Sequence, residues 1–169
     1  MALIKTVNNI SPTIGADCFL ADNATILGEV TLGDRCSVWF QAVIRGDVNS
    51  IVVGADTNIQ DGAVIHCTYK TANTVIGNKV SIGHNAIVHG CTVKDGALIG
   101  MGAIVMDHAV IGEGALIAAG SVVLEGTKVP PGVVYAGVPA KEVKQVDSRL
   151  REVLERTPKN YQMYASWFT

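Results

Sequence analysis

The sequence predicts an all-β fold in which short strands stack on one another in successive coils. Glycine is frequent, with 18 among 169 residues, and aromatic residues make up only 5% of the chain, a composition that favours close backbone stacking. Aliphatic residues also recur at every sixth position. A period of six matches neither an α-helix nor a coiled coil, whereas a short strand followed by a turn fills six residues. Each hexad is therefore expected to form one side of a coil.

The aliphatic repeat runs through most of the chain, with one inserted loop and two slips in register. It is unbroken from Ile14 to Ile44, and it resumes from Val53 to Ile65. A gap of eleven positions then leads to Ile76. The remaining hexads are anchored by Ile82, Val88, Val93, Ile99, Val105, Ile111, Ile117, Val123 and Val129.

This pattern resembles the hexapeptide-repeat family of left-handed parallel β-helices, over residues 10 to about 137. The resemblance implies that three hexads form one triangular coil and that the coil is left-handed. We name the three sides a, b and c, so that Ile44, Ile65 and Val88 are successive anchors of the c side. Residues 1–137 are expected to form this β-helix domain.

Residues 138–169 are expected to form a helical extension that packs along the prism. The stretch "DSRLREVLERTPKNYQMYASWF" has apolar residues at helical spacing. Asp147 or Ser148 is a candidate N-cap, and Thr157 before Pro158 is a candidate start of a second helix. We therefore predict one or two C-terminal helices.

Charge and composition argue against several classes of partner. The formal net charge is −2 and the 13 basic residues are scattered, so no surface for nucleic acid or an anionic membrane is expected. No stretch approaches the roughly 20 apolar residues of a membrane helix, and no signal-peptide core is evident. A cytoplasmic protein with a small-molecule substrate is expected. The four cysteines form no C-x-x-C pair and are expected to be reduced.

Two histidines are predicted to stack on one edge of the prism. His66 and His89 each follow a c anchor in successive coils, and coils lie about 4.8 Å apart, so one ion can bind both. His84 follows the b anchor Ile82 by two positions and so lies on another side. If three chains pack around a threefold axis, the b side of one chain meets the c edge of the next, and His84 completes the site in trans. Three histidines with an open fourth position are typical of a catalytic zinc that activates water.

Other polar residues accompany this edge. Arg45 lies one coil below His66, and Asp47 can form with it a charge-assisted pair that spans subunits and orients groups around the metal. Gln60 follows a b anchor and can hydrogen-bond an oxygen near the metal. His108 has no histidine stacked beside it, so no role is predicted for it.

The segments "RGD", "NIQDGAVIH", "IGHNAIVHG" and "DGALIGMGAIVMD", in this order on hexads, resemble the γ-class carbonic anhydrase family of trimeric β-helices with one metal per subunit interface. The resemblance implies zinc as cofactor, with iron or cobalt as alternatives. It also implies that the chain forms a homotrimer with metal sites shared between subunits. The residues that match the family's ligands are His66, His84 and His89, with His84 donated by the neighbouring subunit.

The resemblance extends to the residues around the metal. Arg45 and Asp47 match the interface pair, and Gln60 matches the residue that hydrogen-bonds the metal-bound hydroxide. In "KNYQMY", Tyr161 matches an aromatic residue over the site, with Tyr164 as the alternative.

The implied activity is that of a lyase, the reversible hydration of CO₂ to bicarbonate by a metal-bound hydroxide. The chain departs from active members of the family at two places: Val48 replaces a Glu after the Arg-x-Asp, and the loop "CTYKTANT" has no carboxylate. A proton shuttle is thus missing or replaced, which predicts weak activity. Two alternatives stay open. One is a hexapeptide acyltransferase or thioesterase, favoured by "YAGVPAKEV", and the other is a non-catalytic, metal-stabilised trimeric assembly subunit.

Overall fold

The computed structural model describes residues 1–168, in which hexad strands stack into a parallel β-helix that is followed by one helix. The strands are mostly two or three residues long, because each side of a coil is short. Their bounds are β1 Leu3–Lys5, β2 Thr13–Ile14, β3 Phe19–Leu20, β4 Thr25–Leu32, β5 Ser37–Val38, β6 Val43–Val53, β7 Asn58–Ile59, β8 Val64–His66, β9 Thr74–Ile76, β10 Ser81–Ile82, β11 Ile87–His89, β12 Thr92–Val93, β13 Leu98–Ile99, β14 Ile104–Val105, β15 Val110–Ile111, β16 Leu116–Ile117, β17 Val122–Val123, β18 Lys128–Val129, β19 Val133–Gly137 and β20 Ala140–Gln145; the helix is α1 Ser148–Ala165.

The three sides predicted from the hexads are present. On the c side, Ile44 pairs with Ile65 and Ile65 with Val88, in the predicted register. The b side is an eight-stranded sheet that includes β5, β7, β10 and β13. The c and a sides join in one sheet, because β4 and β6 run from one side to the other. The predicted fold class, a hexapeptide-repeat parallel β-helix with a C-terminal helix, is confirmed.

The aliphatic anchors fill the interior of the prism. Ile44, Ile65 and Val88 are each 0% exposed, and burying each such side chain contributes about 1.5–3 kcal/mol. The corners between sides b and c turn through a residue with positive φ, a conformation that suits Gly and Asn. That column explains part of the high glycine content, and it comprises Asn23, Gln41, Gly62, Asn85, Gly102 and Gly120.

The stacked strands extend beyond the predicted repeat at both ends. At the start, β1 adds a c-side rung in which Ile4 pairs with Ile26. At the other end, β19 still stacks on β16, and β20 returns antiparallel along β19. A strand therefore lies between residue 137 and the helix.

A single helix covers the b side. The Asp147 side chain caps it by accepting a hydrogen bond from the Leu150 amide at 2.9 Å, as one of the two N-cap predictions proposed. Pro158 lies inside α1, so the candidate second helix start is wrong. Leu150 and Leu154 pack with Leu98 and Leu116 of the b side. Within residues 1–168, no helix combines the length and hydrophobicity needed to cross a bilayer.

Candidate metal centre

Coil stacking brings His66 and His89 side by side. His66 ends β8, His89 ends β11, and the two residues pair in the register of these strands. Their facing ring atoms, His66 Nδ1 and His89 Nε2, are 3.0 Å apart. Two nitrogens bound to a tetrahedral zinc ion, each about 2.0–2.1 Å from it, are separated by roughly 3.3 Å. The two rings therefore converge at a spacing that suits a metal ion.

An aspartate holds the outer nitrogen of each of these histidines. Asp47 Oδ1 is 3.0 Å from His66 Nε2, and Asp107 Oδ1 is 2.5 Å from His89 Nδ1. Each carboxylate favours a proton on the nitrogen that faces it, which fixes the tautomer of the ring. Both facing nitrogens then carry lone pairs, 3.0 Å apart. A cation between them removes the repulsion, so the donor set fits a metal ion.

The surroundings of His66 favour the neutral ring that binds metals. Burial lowers the pKa of His66, and the charges of Arg45 and His89 lower it further, against the opposing effect of Asp47. Burial alone would raise the pKa of Asp47, but hydrogen bonds from Arg45 and His66 bring it below its usual value. At neutral pH the pair is therefore a neutral imidazole beside an ionised carboxylate, as in a metal-binding histidine and its partner.

Arg45 contacts the same carboxylate. Its Nη1 donates to Asp47 Oδ2 at 2.6 Å, so Asp47 bridges the guanidinium and the ring of His66. The sequence predicts a pair that spans two subunits, and within one chain the pair forms between two residues of β6. The Arg45 side chain keeps 42% of its surface exposed. Part of this side chain thus remains accessible to a neighbouring molecule.

His84 lies at another edge, in the corner between sides b and c. Its Nδ1 is 2.9 Å from Asp61 Oδ2, and the hydroxyl of Tyr161 on α1 is 3.1 Å from its Nε2. Burial, together with the charge of Asp61, raises the pKa of Tyr161 to about 12, so this hydroxyl is protonated and donates to Nε2. Tyr164, the alternative aromatic residue, packs against Tyr161 with ring centroids 5.5 Å apart.

Gln60 lies at the same corner as His84. Its side chain is buried, and Nε2 donates to Asn58 Oδ1 at 2.9 Å. Asn58 in turn donates to Ser81 Oγ at 2.8 Å. This chain of hydrogen bonds holds the carboxamide in one orientation.

The two groups of predicted site residues lie at opposite ends of the c-side strands. In the part of the chain that the structure describes, no three His, Cys, Asp or Glu side chains lie close enough together to hold an ion. From the sequence we expected the b side beside His84 to face a neighbouring chain, but α1 covers that side. The surface that stays open beside His84 is the corner between sides b and c. One end, which we call the first half-site, carries Arg45, Asp47, His66 and His89; the other, the second half-site, carries Gln60, His84 and Tyr161.

The sequence reasoning missed three polar residues around the histidines. Asp61 follows Gln60 in the segment "NIQD" and contacts His84. Asp107 ends the segment "DGALIGMGAIVMD" and contacts His89, and Thr68 Oγ1 donates to its second oxygen at 2.5 Å. Coil register could have found Asp107, since it lies two residues after a c anchor and one coil above His89.

Two further residues with side chains that can bind metals, Cys67 and His108, lie outside both half-sites. Cys67 follows His66, but its side chain is buried in the core, with Sγ 3.2 Å from the carbonyl oxygen of Asn49. His108 is exposed and its backbone has positive φ.

Proteins similar in sequence carry the names of carbonic anhydrases. The chain is 58% identical over 127 residues to a probable carbonic anhydrase of Methanocaldococcus jannaschii, covering 75% of the chain and 79% of that relative. It is 40% identical over 165 residues to gamma carbonic anhydrase 2, mitochondrial, of Arabidopsis thaliana. That match covers 93% of the chain, which spans only 59% of the length of the plant relative.

Two further matches identify the fold. The family described as bacterial transferase hexapeptide (six repeats) matches residues 11–46 and 90–125. The solved structure of a hexapeptide transferase family protein from Anaplasma phagocytophilum superposes with a TM-score of 0.95 at 40% identity, covering 99% of this chain and 98% of that one. With the repeat, the register and these relatives in agreement, the chain belongs to the γ-class carbonic anhydrase-like family of hexapeptide-repeat proteins.

Proposed function

We propose that the protein is a carbonic anhydrase-like lyase that hydrates CO₂ reversibly to bicarbonate, with zinc, or iron or cobalt in its place, as the cofactor. The observation that carries this proposal is that His66 Nδ1 and His89 Nε2 face each other at 3.0 Å while aspartates contact both outer nitrogens. The names of relatives that are 40% and 58% identical favour the same activity. The cytoplasm is the proposed location.

An uncovered apolar face supports assembly into a homotrimer. The outward-facing residues of the c-side strands are aliphatic in five successive coils, and Ile87 among them is 36% exposed. Soluble monomers rarely expose such a continuous apolar surface. Met106 and Leu124 extend it, with 39% and 47% of their surfaces exposed. The five outward-facing aliphatic residues of the c-side strands are Val43, Val64, Ile87, Ile104 and Val122.

The position of this face between the two half-sites suggests how the trimer forms. If the c sides of three chains face a common axis, the second half-site of one chain approaches the first half-site of the next. His84 of one subunit then joins His66 and His89 of its neighbour. The metal site would be complete only in the assembly.

The chain's own side chains orient the reactants. Zinc held by His66, His89 and a neighbouring chain's His84 would supply a water nucleophile that ionises near neutral pH. Asp47, held by Arg45, keeps the His66 ring in place. Gln60, fixed through its bond to Asn58, is the proposed hydrogen-bond partner of the reacting oxygen.

Tyr161 is a proposed hydroxyl donor beside the metal site. Its hydroxyl engages His84 Nε2 within one chain, and the same nitrogen is the one left available for a metal. Tyr161 therefore has to turn away when His84 binds the metal, which leaves a hydroxyl donor beside the site.

Release of the proton is the step of this mechanism for which the usual shuttle carboxylates are absent. Val48 is partly buried against the core, and residues 67–74 contain no Asp or Glu. We therefore expect the proton to pass directly to buffer molecules, so that CO₂ hydration speeds up as the buffer concentration rises.

The test is to purify the protein without oxygen, measure metal per chain, and follow CO₂ hydration at low and high buffer concentration. We expect about one metal per chain and a buffer-dependent rate. His89→Ala should lose both, whereas His108→Ala, which changes an exposed histidine outside both half-sites, should keep them. Absence of metal from the wild-type protein, or no rate at high buffer, would refute the proposal.

Acyl transfer or thioester hydrolysis is the second candidate, favoured by the name of the Anaplasma relative. Incubation with acetyl-coenzyme A, with and without an amine acceptor, tests it by the release of free thiol. A metal-bound trimer that is inactive in both assays would instead be a non-catalytic assembly subunit.

A further inference from the structure

We propose that Asp107, supported by Thr68, is a positioning residue that fixes the ring of His89 with Nε2 directed at the metal. The inference deepens the proposed function and rests on it. Asp107 uses both carboxylate oxygens: Oδ1 is 2.5 Å from His89 Nδ1, and Oδ2 accepts a hydrogen bond from Thr68 Oγ1 at 2.5 Å. A carboxylate held at both oxygens cannot rotate, so the ring that it holds is fixed in tautomer and in direction.

The backbone leaves a space for this carboxylate. A Cβ atom at Gly90 would lie 2.5 Å from Asp107 Oδ1, the oxygen that faces His89, and 2.9 Å from the Cβ of Ala72. Gly90 also has a φ of 58°, which other residues rarely adopt. The conformation thus favours glycine at this place, and the room needed by the carboxylate excludes a larger residue.

The loop inserted after His66 brings the Thr68 side chain to Asp107. Residues 67–73 interrupt the hexads between β8 and β9, and Thr68 and Ala72 close them by a backbone bridge. The loop carries the Thr68 hydroxyl to a carboxylate 39 residues further along the chain. Thr74 is fully buried at the other end of this loop. Its hydroxyl donates to the His66 carbonyl and accepts a hydrogen bond from the Gly90 amide, which attaches the loop to the edge that carries His66 and His89.

The matched control for Asp107 lies one coil further along. Glu125 follows the c anchor Val123 by two positions, as Asp107 follows Val105, and it is exposed. Glu125→Gln therefore changes the charge of the same column without touching His89.

The test measures zinc affinity by competition with a chelator in Asp107→Ala, Asp107→Asn, Thr68→Val and Glu125→Gln. Loss of an outer partner of a ligating histidine typically weakens metal binding about 10–100-fold. We expect this loss in Asp107→Ala, a smaller one in Asp107→Asn and Thr68→Val, and none in Glu125→Gln. Size-exclusion chromatography and circular dichroism should show that the variants keep the fold and assembly of the wild type.

A second readout needs no metal. In metal-free protein with labelled histidine, ¹H–¹⁵N spectra should show His89 with its proton on Nδ1, and Asp107→Ala should shift it toward the Nε2–H form. An unchanged tautomer and unchanged affinity in Asp107→Ala would overturn the positioning role, as would an equal loss of affinity in Glu125→Gln. If wild-type protein binds no zinc, the proposed function fails, while the tautomer still decides whether Asp107 orients His89.

Discussion

At the scale of single residues, every histidine of the two half-sites has an aspartate on one ring nitrogen. The contacts of these nitrogens with carboxylate oxygens are 2.5 to 3.0 Å long. Since each carboxylate holds a proton on the nitrogen that it faces, one nitrogen per ring is left to bind a metal. The nitrogens so left are His66 Nδ1, His84 Nε2 and His89 Nε2.

The fit of Asp107 against Gly90 predicts the effect of adding one methyl group. Gly90→Ala places a Cβ against the carboxylate, whereas Gly102→Ala, with a similar φ of 66°, meets nothing within 4 Å. The strained backbone conformation should cost each variant about 1–2 kcal/mol. Gly90→Ala should lose more stability than Gly102→Ala and should also lose zinc affinity. Urea unfolding at one protein concentration and chelator competition check this, and equal losses in both variants would contradict it.

The stacking of His66 on His89 was predictable from the sequence, because hexad register alone places them in successive coils. Asp107 could be found from the same register. Thr68 could not, since it lies in the loop that breaks the repeat, and no periodicity sets the path of that loop. The orientation of each ring likewise depends on side-chain hydrogen bonds that a pattern of anchors does not contain.

At the scale of elements, a buried cluster and a polar link attach α1 to the prism. The cluster joins Leu154 to Val134 and Val146. The link is Asp56, which accepts a hydrogen bond from Gln162 of α1 at 2.8 Å and two from Arg35. Because Tyr161 precedes Gln162 on the helix, the docking of α1 also places the hydroxyl that contacts His84.

Docking of α1 through Asp56 should depend on pH. Hydrogen bonding to Arg35 lowers the pKa of Asp56, more than burial raises it, and Gln162 adds to the effect. A lowered folded-state pKa stabilises the protein above the unfolded value of about 3.9, and the gain disappears as pH falls through the folded value. Asp56→Asn should therefore melt below the wild type at pH 7, and the difference should shrink as pH falls below the unfolded value of about 3.9.

Asp17→Asn is the control for this comparison. Asp17 lies on the other side of Arg35 in the same corner column, and its φ of 55° is close to the 60° of Asp56. Asp17→Asn should melt at the same temperature as the wild type throughout this pH range. A pH-independent difference between Asp56→Asn and the wild type would show that the carboxylate charge does not stabilise the docked helix.

The sequence predicted that the C-terminal region is helical, but it did not predict whether there would be one helix or two. Its apolar spacing and Asp147 cap were readable from the sequence, but Pro158 suggested a break. Proline removes one backbone donor, and packing of the helix against the b side outweighs this cost. Leu154 and Pro158 are both buried against the prism.

At the scale of the whole molecule, the c side separates the two half-sites of the proposed metal centre. The hexad repeat predicted the prism because each rung repeats the same local contacts. The way chains meet is set by the outward faces, and only the structure reveals that α1 covers side b while the aliphatic c side stays open. The proposed trimer follows from that difference between faces.

The central claim, that one metal site draws ligands from two chains, is tested most directly by mixing two variants that are each defective. His66→Ala and His84→Ala chains are unfolded and refolded together in equal amounts, and zinc per chain is measured. Each interface then has about a one in four chance of joining an intact first half-site to an intact second half-site. The mixture should thus regain about a quarter of the wild-type zinc, although neither variant alone binds it, and His108→Ala treated alike should keep all of it. A mixture that binds no more zinc than its two parents would contradict the shared site.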